Sequence, residues 1–80
     1  MDSNRVYEDC KTVLKGAVDG SVGNSEVSAT YNAVLPHYEQ LNVAGELSNQ
    51  AVKAVRLVKL LSGDWTLLKD GAFLDKVRTL

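Results

Sequence analysis

Cys10, the only cysteine in these 80 residues, and His37, the only histidine, are the side chains that could act as a nucleophile and its base. A thiol attacks only as the thiolate, so it needs a base or a cation close enough to remove or offset its proton. Cys10 falls instead in the run Val6, Cys10, Val13, Leu14, Ala17 and Val18, the spacing of one helical face, where a cysteine behaves as a small buried hydrophobe. Neither Cys10 nor His37 has a close-spaced companion that would build a metal site. The adjacent acids Glu8 and Asp9 lie near the start of the same helical pattern, where negative charge complements the helix dipole.

The remaining candidate motifs fail on their own spacing. Asp19-Gly20-Ser21-Val22-Gly23-Asn24 resembles the start of a calcium loop, but its fifth position is Gly23 and its twelfth is Thr30, where a bidentate glutamate is required. Asp19-Gly20-Ser21 also fails as a carrier-protein attachment site, because Val22 stands where leucine is expected. Neither a G-x-G-x-x-G sequence nor a lysine-bearing phosphate loop occurs. The expectation is a protein that is not an enzyme, with no cofactor, no metal and no small-molecule substrate.

Chemistry suited to binding is concentrated in one stretch. Between Ser48 and Ser62 the charged residues are Lys53, Arg56 and Lys59, with no acid, whereas Gly23 to Leu47 carries Glu26, Glu39 and Glu46 with no lysine or arginine. These opposite charges either complement each other within the fold, remain solvated, or make a basic contact surface. Asn49, Lys53, Arg56 and Lys59 are the candidate partner or nucleic-acid contacts. Asn49, Lys53 and Arg56 would project from one side of a helix and suit base edges and phosphates. Pro36–Leu41, a connection Asn42–Leu47 and a helix 48–61 would then give a helix-turn-helix order, completed as a winged form if the tail were a hairpin. A net charge of −1 weakens that reading. Among the aromatic residues, Trp65, Tyr38 and Phe73 are the candidate interface anchors, their alternative role being core packing.

Four elements must position these residues. The first helix spans about Ser3 to Val18, capped by Ser3 or Asn4 and ended by Asp19-Gly20; Gly16 weakens its last turn. A second begins after Asn24 or Ser25 and lines up Val27, Tyr31, Val34, Leu35 and Tyr38, with a kink or break expected at Pro36. The third is the clearest. Leu47, Ala51, Ala54, Val55, Val58 and Leu61 make a continuous stripe, widened by Val52, Leu57 and Leu60, with Ser48 as N-cap or Asn42 capping a longer helix through Val43. An apolar arc that wide marks the central helix. The tail from Asp64 reads as a helix capped by Asp64, in preference to a hairpin turning at Lys69-Asp70-Gly71.

The expected fold is therefore all-α: a single helical domain over residues 1–80, a small bundle of three main helices plus a short C-terminal element. Its 45% hydrophobic and 24% charged residues are those of a folded domain. A chain this short has a modest core, and with neither disulfide nor metal it relies on helix packing or self-association. No apolar run is long enough to span a bilayer and no signal-peptide pattern is present, so a cytoplasmic location is expected and no membrane partner. The functional expectation is a protein-interaction module, a homodimeric helical adaptor or accessory protein; the alternative is a DNA-binding regulator of helix-turn-helix or winged-helix type using helix 48–61.

Overall fold

The computed structural model describes every residue from Met1 to Leu80. Its elements are α1 (Ser3–Asp19), α2 (Asn24–Ala44), α3 (Asn49–Gly63), a 3-10 segment (Trp65–Lys69) and α4 (Gly71–Arg78), with no strand. None of the helices is long and apolar enough to cross a membrane.

The caps explain where each helix begins. Asp2, rather than Ser3 or Asn4, caps α1 by accepting from the Arg5 amide at 2.8 Å. At α2 the cap is Gly23, one residue before the expected pair; its amide donates to the Glu26 carboxylate at 3.4 Å. Ser48 caps α3 as its sequence predicts, accepting from the Ala51 amide at 3.1 Å. The longer helix from Asn42 does not form, because Gly45 takes a left-handed φ of 70° and closes α2 there. The amides of Gly45 and Glu46 donate back to the carbonyls of Asn42 and Leu41.

Pro36 does not break α2. The helix runs through it, with both Pro36 and Asn32 exposed, so the Asn32 carbonyl that loses its partner faces water. The tail is helical, not a hairpin. Asp64 caps the 3-10 segment through the Thr66 amide, and Asp70 caps α4 by accepting from the amides of Ala72 and Phe73. The turn-like Lys69-Asp70-Gly71 is thus a helix start, and Gly71 occupies a first turn where its cost is small.

Packing centres on α1 and α3. Helix α3 touches α1, α2, the 3-10 segment and α4, as its wide apolar arc requires. It buries Ala51, Ala54, Val55, Leu57, Val58 and Leu61, and α1 supplies Val6, Tyr7, Cys10, Val13, Leu14 and Ala17 to the same core. Val18, expected on the α1 face, is 42% exposed instead. Gly16 is where the chain folds back tightly. A Cβ there would lie 2.4 Å from Val22 Cγ2, and the Gly16 carbonyl accepts from the amides of Ser21 and Val22 and from the Ser21 hydroxyl. The Cα radius of gyration is 11.8 Å; a single domain of this length packs to about 11.6 Å. Seventeen hydrophobic residues are buried in one cluster within the single chain.

Candidate nucleic-acid or protein interface on α3

The Cys10 side chain has no exposed surface, and burial, reinforced by the negative charge of Asp9, pushes its thiol up to about 12. It supplies no thiolate near neutral pH. At the other end of α1, hydrogen bonds from Ser21 hold the Asp19 carboxyl below its ordinary range, and the amide bond at 2.9 Å fixes the turn.

The four contact residues anticipated on the third helix, Asn49, Lys53, Arg56 and Lys59, are all exposed. Ser48 fixes where their helix begins, and Ser48 is itself tied to α1: its amide donates to the Ser3 hydroxyl at 2.9 Å, and that hydroxyl lies 3.0 Å from the Ser48 hydroxyl. A step of three residues rotates position by about 60° around an α-helix. Lys53, Arg56 and Lys59 accordingly fan across the surface instead of forming one row. Asn49, Lys53 and Arg56 line a groove of about 510 Å³ toward α4, where Lys76 joins them over the apolar side chains of Val52, Leu57 and Leu60. Arg56 and Lys59 also line a recess of about 360 Å³ toward α2, beside Tyr31, Leu35, Tyr38 and Glu39. Arg56 stands between the two.

None of Lys53, Arg56, Lys59 and Lys76 makes an ion pair. The two ion pairs in the protein, Arg5–Asp9 and Arg78–Asp75, lie elsewhere. Glu39 shares the recess with Arg56 and Lys59 without closing to ion-pair distance. The basic edge of α3 is thus not tied into an ion pair within the chain. Lys53 is oriented by another means, its Nζ donating to the Thr79 hydroxyl at 3.2 Å, and that hydroxyl donates to the Lys76 carbonyl at 3.1 Å. This chain of bonds draws Lys53 to the C-terminal end of α4, the end favourable to a cation.

The three anchor candidates part company. Phe73 is 5% exposed and belongs to the core, so it is unavailable at the surface. Tyr38 and Trp65 are half-buried and lean on the core. Of the other tyrosines, Tyr7 is buried, with Lys11 Nζ 5.5 Å from its ring centroid.

Two residues of this face escape a sequence reading. Lys76 joins the groove only because the tail is helical and docks beside α3. Leu60, counted in the apolar stripe, is 55% exposed at the groove edge; its place at the margin of the arc, next to Lys59, was the available signal. The connection between α2 and α3 is also tighter than the expected Asn42–Leu47, comprising only Gly45–Ser48. No protein-family model, curated protein or solved structure matches this chain.

Proposed function

We propose that this protein is a non-catalytic protein-interaction module that engages an acidic partner surface through the α3–α4 face. One observation carries the reading: Lys53, Arg56 and Lys76 are exposed without an ion pair around an apolar groove edged by the half-exposed Leu60, with Lys59 exposed and unpaired beside it. An apolar centre with a polar rim is the layout of a protein interface, and arginine, tyrosine and tryptophan are enriched at the positions that dominate binding energy. Arg56, with Tyr38 on one side and Leu60 on the other, is the residue expected to matter most.

A second reading, DNA binding, is favoured by the short turn Gly45–Ser48 ahead of α3 and by Asn49, Lys53 and Arg56 exposed on that helix. It has less support, since the chain has no β-wing and its net charge is −1. An NMR titration of the labelled protein separates the two, using a synthetic helical peptide rich in Glu and Leu and, separately, a short DNA duplex. The interaction module predicts peptide-dependent shifts at Val52, Lys53, Arg56, Leu60 and Lys76, and no DNA response at physiological salt. Shifts with DNA alone that vanish as salt rises would transfer the assignment to nucleic acid. Silence toward both probes would remove the face as a binding site.

A further inference from the structure

We propose that the partner is a second copy of this chain, docked about a two-fold axis at the α2–α3 corner, an inference that rests on the interaction reading above. The complement to the basic groove is on the same molecule. Val43, at 90%, is the most exposed large hydrophobic residue of the fold. It stands in the last turn of α2 with Glu39 one turn before it and Glu46 just beyond it, both exposed. The last turn of α2 contains no basic residue, so the negative end of its dipole adds to those two carboxylates uncompensated. An apolar knob between acids is thus the counterpart of an apolar groove between cations.

The two patches flank one turn, Gly45–Ser48: Val43 and Glu46 lie at its α2 side, and Asn49, Val52 and Lys53 form the end of the groove nearest it. A single two-fold axis beside that corner brings the acidic patch of each copy onto the basic patch of the other, satisfying both contacts at once. Val43 meets the groove over Val52, and Glu46 meets Lys53 and Arg56. The core contributes nothing, because it is already buried within one chain. The association is consequently weak, and it weakens further as salt screens the ion pairs.

Sedimentation equilibrium of the full chain at low salt, from about 10 μM to about 1 mM, tests this directly. The mass is expected to climb from 8.7 kDa toward twice that value. E46K and K53E should each lower the association constant about ten-fold, and the double variant E46K/K53E should recover most of the loss, as coupled partners do. V43S should weaken association without touching charge. All three positions are exposed, and circular dichroism checks that each variant keeps its helices. A wild-type mass that stays at 8.7 kDa throughout overturns the second copy as partner; so does a mass growing past the dimer, or a double variant no better than the singles. A monomer whose groove still binds the Glu- and Leu-rich peptide removes only this inference. A monomer that binds no peptide removes the interaction reading as well.

Discussion

Alanine at Gly16 should destabilise the protein, although it lies inside a helix where alanine is intrinsically favoured by about 1 kcal/mol. The new Cβ would sit 2.4 Å from Val22 Cγ2, 3.2 Å from Val22 Cβ and 3.3 Å from the Ser21 hydroxyl. Valine is stiff about its first side-chain torsion and cannot simply swing away. Overpacking of this kind costs about 1–3 kcal/mol. Retreat of the loop would also stretch the bonds from Ser21 and Val22 onto the Gly16 carbonyl, now 2.9 and 3.1 Å long, each contributing about 0.5–1.5 kcal/mol. Set against the gain in helix propensity, the net loss is about 1–2 kcal/mol. For a domain of this size that lowers the Tm by roughly 4–16 °C. Urea denaturation of wild type, G16A, V22A and G16A/V22A measures it. Strain against Val22 requires G16A to cost less in the V22A background than alone. A G16A variant as stable as wild type, or additive single effects, would refute the close approach as the reason for glycine.

Leu61 is fully buried in α3, so L61A should cost about 2–5 kcal/mol; chemical denaturation would show most of a small domain's stability gone. D70A removes the acceptor for two amides at the start of α4, a loss of about 1 kcal/mol, and hydrogen exchange should show α4 opening before α1. The Cys10 thiol should resist an aromatic disulfide reagent in the native state and react at full rate in denaturant; rapid native labelling would contradict its burial. Because folding raises that pKa from 9.0 to about 12, its contribution to stability is complete below pH 9 and declines as pH rises from 9 toward 12. Comparison of wild type with C10A across that range isolates it, and identical slopes would contradict the assignment.

Periodicity alone established the all-helical class, the central role of the helix read at 48–61 and the exposure of Asn49, Lys53, Arg56 and Lys59. Each follows from local spacing on a 3.6-residue helix, with Ser48 marking the start. Other features depended on competing local options. Pro36 reads as a kink or break, yet the helix continues through it, with Pro36 and Asn32, whose carbonyl loses its donor, both exposed. Lys69-Asp70-Gly71 reads as a turn, yet Asp70 caps a helix once Phe73 and Val77 find room in the core. Only the tertiary structure decided which apolar residues remain outside. Val18, Val43 and Leu60 have the same side-chain chemistry as their buried neighbours, and their exposure depends on where the other helices stop covering them. The groove is tertiary for the same reason: Lys76 lies 20 residues from Arg56 in sequence, and no local pattern brings the two together until α4 packs beside α3.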